Sequence, residues 1–246
     1  WQLAGPQPLA QPPQRRHTFS DHQDAVRAVA WSADGRRLAT AGYDGRIGLY
    51  DAASGSGRAF EAHDGGVASV AFDASGERLL SAGGEDRLLR LWDLRRPESP
   101  PQTLARAGDW LMWAGWRPDA GELAAVGREL VVTLLDPAHP DTPPLLVGHE
   151  NTVLRAIYSP DGFQLATVSA DRTVRVWDTE RRRLLFTQPL PTMDRDPSPL
   201  WDFDFRCLPD GDCLIAVPLM MGRVVVYRLP YENPPPELAA DTGPAP

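Results

Sequence analysis

Short apolar runs separated by polar turn clusters recur along this chain. AVRAVAW (25–31), VASVAF (67–72) and VLRAIY (153–158) are rich in small and β-branched residues, as expected of strands covered on both faces. Each run is followed by a turn that ends on Gly35, Gly76 or Gly162, in the contexts SADG, DASG and SPDG. Glycine accepts positive φ there, and proline presets the turn. A second strand follows in RRLATAG, ERLLSAG and FQLATVS. A tight turn leads to a third in RIGLYD, LLRLWD and TVRVWD, and a fourth is read in GRAFEAH and PPLLVGH. No segment keeps a 3.6-residue period over ten residues, so no substantial helix is predicted and the fold class is all-β.

Two further turns, RPDAG to Gly121 and LPDG to Gly211, extend the series, with glycine-to-glycine steps of 41, 45, 41 and 49 residues. A period near forty marks a repeat architecture. Four short antiparallel strands per period make one propeller blade. Polar residues repeat with the strands. His22, His63 and His149 precede the units, and Asp44, Asp86 and Asp171 lie in the second turns. Six residues after each aspartate stands Tyr50, Trp92 or Trp177, followed by Asp51, Asp93 or Asp178. Ser169 lies two places before Asp171, whereas Gly42 and Gly84 hold that offset in the first two units. The third unit (109–136) and the fifth (200–229) lack the histidine and the spaced aspartate, and are assigned from strand–turn–strand pattern alone.

Through Gly148-His149, Ser169, Asp171 and Trp177-Asp178 the chain resembles the WD-repeat family of β-propellers, over roughly residues 15–230. The resemblance implies a hydrogen-bonded chain from Trp177 through Ser169 and His149 to Asp171. The donor inventory agrees: indole only donates, hydroxyl and imidazole do both, carboxylate only accepts. The role is structural, and no catalytic residue is assigned. With Gly42, Gly84 and Tyr50 at their positions, the first two units are expected to hold incomplete networks. The resemblance also implies a partner face on the rim that carries the histidine loops and aspartate turns. Its candidate contact residues are Arg27, Tyr43, Glu85, Trp110, Leu154 and Trp201. Trp116 aligns with Trp31, Phe72 and Tyr158 and is expected in the core.

The leading function is a non-enzymatic scaffold for a protein or peptide partner, without cofactor or metal. A second reading is a sensor or docking domain of a larger signalling protein, for example one fused to a protein kinase. A third, a five-bladed enzyme of the glycoside-hydrolase kind, needs acids converging on the channel, where the innermost strands carry Ala, Val, Leu and Ser instead. The net charge of −8 disfavours nucleic acid as a partner, since phosphate contacts need a basic face. No apolar run approaches the roughly 20 residues that span a bilayer, and a cytoplasmic location is expected. The two cysteines, Cys207 and Cys213, flank one turn and are expected to be reduced, with a disulfide as the alternative.

Five blades are recognisable. Residues 15–19, RRHTF, read as an outer fourth strand with no inner strands before it. Residues 1–14 read as the end of a preceding blade or a linker, and 231–246 as a proline-rich tail or linker. The family usually has seven blades, which take roughly 280–315 residues. A fragment of a larger ring is therefore expected, with a five-bladed ring, and then a monomer, as the alternative.

Overall fold

The computed structural model describes residues 15–118, 121–141, 143–191, 203–207, 213–219 and 223–229. These form five antiparallel sheets and, among the described residues, no helix. The first holds β1 (Val26–Trp31), β2 (Arg37–Gly42), β3 (Arg46–Asp51) and β4 (Gly57–Glu61). The second holds β5 (Val67–Phe72), β6 (Arg78–Gly83), β7 (Leu88–Asp93) and β8 (Gln102–Arg106). The third holds β9 (Leu111–Trp116), β10 (Leu123–Gly127), β11 (Val131–Leu135) and β12 (Leu145–Val147). The fourth holds β13 (Val153–Tyr158), β14 (Gln164–Ser169), β15 (Thr173–Asp178) and β16 (Arg183–Pro189). The fifth holds β17 (Asp204–Cys207), β18 (Cys213–Leu219) and β19 (Arg223–Leu229). Within each sheet the strands lie side by side in chain order. Each sheet is one blade, and the blades follow the glycine period.

The turn glycines show why that period was visible. Gly35, Gly76, Gly121 and Gly162 all have φ between 67° and 76°, in the left-handed region where a Cβ is disfavoured. In blade 1 the Asp34 carboxylate accepts from the Ser32 hydroxyl at 2.6 Å and from the Arg36 amide at 3.0 Å. In blade 4 Asp161 accepts from the Ser159 hydroxyl and the Phe163 amide at the same distances. The side chains thus hold amides that the ladder leaves free.

The blades pack face to face. β1 neighbours β5, β5 neighbours β9, β9 neighbours β13, and β13 neighbours β17. Between blades 1 and 2, Ala39, Ala41 and Ile47 meet Val67, Val70 and Leu79. Between blades 4 and 5, Val168, Val174 and Val176 meet Phe203, Phe205 and Ile215. Each core is therefore an interblade layer, as in other repeat architectures.

Three expectations are corrected here. Trp31 is not core: it is 59% exposed, because the described residues place no blade in front of β1. Residues 15–19 form no ladder strand. Phe19 nevertheless stacks on Tyr50 of blade 1, with ring centroids 3.9 Å apart. Finally, Cys213 is disulfide-bonded rather than reduced. The hairpin register sets it directly opposite Cys207.

Candidate functional site: a rim of aromatic–arginine pairs above a structural hydrogen-bond chain

Polar chains run through blades 1, 2 and 4. In blade 4, Trp177 Nε1–H donates to Thr167 Oγ1 at 2.9 Å. His149 Nε2 lies 2.8 Å from the same oxygen, and His149 Nδ1 lies 2.7 Å from Asp171 Oδ2. Indole can only donate and carboxylate can only accept, so the direction is fixed. It runs from Trp177 to Thr167 to His149 to Asp171, with the imidazole neutral and its proton on Nδ1. Burial lowers the pKa of His149, against the opposing pull of Asp171, and so keeps it neutral. Burial pushes the Asp171 carboxyl upward, but bonds from Thr173, the Glu150 amide and His149 outweigh it, and the net shift is downward.

The hydroxyl in this chain belongs to Thr167, which corrects the assignment to Ser169. Leu165 pairs with Trp177 and Thr167 with Arg175. Thr167 is thus the same-face diagonal neighbour of Trp177, and Ser169 lies a further two residues along the strand. Ser169 Oγ instead donates to the Asn151 carbonyl and accepts from the Asp171 amide, both at 3.0 Å. It shapes the turn.

The same register corrects the reading of blades 1 and 2. Their hydroxyls are Thr40, 2.7 Å from His22 Nε2, and Ser81, 2.8 Å from His63 Nε2. His22 and His63 reach Asp44 and Asp86 at 3.1 and 2.9 Å. In blade 2 Trp92 donates to Ser81 at 2.8 Å, which completes the chain. Gly83, not Gly84, is the counterpart of Ser169, since Val67 pairs with Gly83 as Val153 pairs with Ser169. The blade 2 turn carries one extra residue, and that residue hid the match.

Blade 1 departs at its last link. The Tyr50 hydroxyl is buried without a hydrogen-bond partner. Thr40 and Asp21 flank it. Burial raises its pKa, and Asp21 adds to the shift. Its ring fills the space over Gly48, where a Cβ would strike Thr40 and Tyr50. The aligned positions hold Arg90 and Arg175. Removing an unpaired buried hydroxyl removes its desolvation penalty. Tyr50→Phe is therefore expected to leave the melting temperature unchanged or raise it, by up to about 1 kcal/mol of stability. A drop of that size in thermal denaturation would show that the hydroxyl is bonded.

Blade 3 carries a spaced glutamate where blades 1, 2 and 4 carry aspartate. Glu129 stands six residues before Leu135-Asp136. It accepts from the Gly108 amide at 2.6 Å, as Asp44 accepts from Gln23 and Asp171 from Glu150. Leu130 after it has φ 65°, matching Arg87 at 61° and Arg172 at 64°. Behind this turn Leu104, Leu123, Ala125 and Leu135 form an apolar core in place of the polar chain.

Above these chains lies a continuous strip of rim. Tyr43 is 51% exposed, with the Arg27 guanidinium 5.7 Å from its ring centre and donating to its hydroxyl at 3.3 Å. Trp110 is 36% exposed, with Arg128 4.5 Å from its ring centre. Glycine backbone joins the two pairs. A Cβ on Gly66 would sit 3.2 Å from Tyr43, the Gly84 amide donates to the Gly66 carbonyl at 2.9 Å, and a Cβ on Gly84 would sit 3.9 Å from Trp110. The Glu85 carboxylate accepts from the Gly66 amide at 2.8 Å, so it braces the floor. Leu154, expected on this face, is buried in the core between blades 4 and 5, because β13 turns it toward Phe203 and Phe205. Trp201 lies outside the described residues.

Known proteins match the chain in the same places. The family model described as WD domain, G-beta repeat matches residues 13–51, 55–93 and 142–178, which are the units around blades 1, 2 and 4. Protein HIR1 of Mycosarcoma maydis is 30% identical over 219 residues, covering 85% of this chain and 18% of that protein. Actin-interacting protein 1 of Drosophila melanogaster is 32% identical over 167 residues, 66% of this chain and 27% of that protein. The serine-threonine kinase receptor-associated protein of Mus musculus is 27% identical over 215 residues, 86% of this chain and 45% of that protein. The chain spans less than half the length of each of these relatives. With the repeat model on the three units that carry histidine and aspartate, and with five antiparallel blades at its period, the chain belongs to the WD-repeat family of β-propellers.

Proposed function

We propose that the chain is a non-enzymatic scaffold that holds a protein or peptide partner on the rim strip between Tyr43 and Trp110. The carrying observation is the pair of exposed aromatics, each held by an arginine and joined by a backbone floor at Gly66 and Gly84. Aromatic residues and arginine dominate binding hot spots, since they offer large area at small entropic cost. The glycine floor leaves room for an extended segment to lie against backbone. The Ser–His–Asp set of blade 4 supports a non-catalytic reading. Ser169 is fully buried and bonded to the turn, and His149 is 6% exposed.

The test is affinity capture from extract of the source cells with three proteins: wild type, Tyr43→Ala with Trp110→Ala, and Leu145→Ala with Val147→Ala. The last pair is exposed on β12, the outer strand of blade 3. Partners retained by wild type and the β12 variant are expected to be lost, on the order of tenfold or more, from the rim variant. Equal retention by all three would remove this strip as the binding surface. The same rim serves equally in a docking domain within a larger signalling polypeptide.

A further inference from the structure

The arginines of this chain divide between its two rims. On the rim of the turns after β1, β5, β7, β9 and β15 they pair with carboxylates. Arg78 meets Asp73 at 2.9 Å, Arg95 meets Asp93 at 3.1 Å, Arg117 meets Glu180 at 2.6 Å and Arg182 meets Glu122 at 2.5 Å. On the rim that carries Tyr43 and Trp110 the pattern reverses. Arg27 lies on Tyr43 and Arg128 on Trp110, while Arg87 donates to the Gly108 carbonyl at 2.9 Å. None of these three forms an ion pair among the described residues. Scarcity of acids is not the reason, since Asp and Glu number 33 against 25 arginines. The carboxylates of this rim are turned onto backbone instead. Glu85 accepts from the Gly66 amide, Glu129 from Gly108, Asp109 from Trp110 and Asp24 from Ala25.

The same bonds decide how an occupant can be held. The amides of Gly66, Gly108 and Trp110 are taken by those carboxylates, and the Gly84 amide by the Gly66 carbonyl. An incoming strand therefore finds no open amide at these four positions. The donors left on the strip are guanidinium N–H groups, of which Arg27 spends one on the Tyr43 hydroxyl. A guanidinium laid against an aromatic ring is held in place and keeps its edge for a planar acceptor. That edge matches a carboxylate, which can accept two parallel bonds from it. We propose that the partner of this rim is an acidic, extended peptide segment whose carboxylates pair with Arg27 and Arg128, on either side of the glycine floor. The proposal rests on the strip between Tyr43 and Trp110 being the binding surface, and adds the chemistry of what it binds.

A displayed library of random linear peptides tests it, selected on the wild-type chain and counter-selected on Tyr43→Ala with Trp110→Ala. The surviving sequences are expected to be enriched in Asp and Glu over the input. One such peptide, synthesised with a fluorophore, should bind at least about tenfold more weakly to Arg27→Gln with Arg128→Gln, as read by fluorescence anisotropy. Arg27→Lys with Arg128→Lys keeps the charge without the planar fork and should fall between the two. Changing the acids of the peptide to amides makes the same test on the unaltered protein. It should weaken wild-type binding as much as the arginine changes do, and weaken the glutamine variant no further. Enrichment of neutral or basic peptides that depend on Tyr43 and Trp110 would overturn the acidic partner and leave the strip as the binding surface. Binding of acidic peptides that is indifferent to Arg27 and Arg128 would do the same. Enrichment that ignores the two aromatics, or no enrichment at all, would remove the strip and the acidic partner together.

Discussion

Replacing Trp177 by alanine is expected to destabilise the chain by about 3–5 kcal/mol, the usual range for a buried tryptophan. Trp177 is 2% exposed and shares one cluster with Leu134, Leu146, Leu165 and Tyr158. It is therefore the contact through which blade 4 holds the outer strand of blade 3. Truncation opens a cavity at that layer. It also leaves Thr167 without its indole donor, and the His149 ring, 6.0 Å away in an edge arrangement, without its packing partner. Blades are stabilised by their neighbours, so the loss should weaken blades 3 and 4 together. The urea midpoint should fall with little change of slope. A midpoint shift worth less than about 1 kcal/mol would show that Trp177 does not carry the blade 3–blade 4 layer.

Much of this fold was legible because its signals are local. The demand for positive φ at Gly35, Gly76, Gly121 and Gly162 acts within four residues, and so the period could be read without any partner strand in view. Strand runs such as VLRAIY and TVRVWD match β13 and β15 residue for residue. The polar chain was legible only in part. Its end residues His149, Asp171 and Trp177 stand at fixed offsets, but its middle residue is set by cross-strand register, which pairs Thr167 beside Trp177. Counting back from the aspartate gave Ser169, and the extra turn residue in blade 2 moved Ser81 out of alignment. Glu129 was not legible as an equivalent because a glutamate stands where the other units hold aspartate. The offset of six from Leu135 was present all along. The exposure of Trp31 and the burial of Leu154 depend on which blade stands next to each, and no local pattern carries that. On the rim, Tyr43 and Trp110 were legible as exposed aromatics. The floor that joins them was not, because Gly66 and Gly84 lie side by side at the end of blade 2 and meet Tyr43 and Trp110 only when blades 1 and 3 pack against it.

The register also sets a contrast that only one hydroxyl assignment can satisfy. Thr167→Val keeps the shape and removes the oxygen that Trp177 donates to and that bonds His149 Nε2. Both partners are then buried and unpaired, at about 1–3 kcal/mol each, so a loss of about 2–4 kcal/mol is expected. Ser169→Ala breaks bonds to the Asn151 carbonyl and the Asp171 amide. Asn151 is exposed, so water can replace part of what is lost, and about 1 kcal/mol is expected. The indole proton of Trp177 gives a readout that stability alone does not. Its hydrogen-exchange protection should collapse in Thr167→Val and persist in Ser169→Ala. The reverse order would return the hydroxyl to Ser169 and place the chain one step further along β14. That register would in turn require Trp177 to face a different neighbour from Leu165, against the ladder that pairs them. The two serial substitutions therefore test the pairing of β14 with β15 as well as the hydrogen bond.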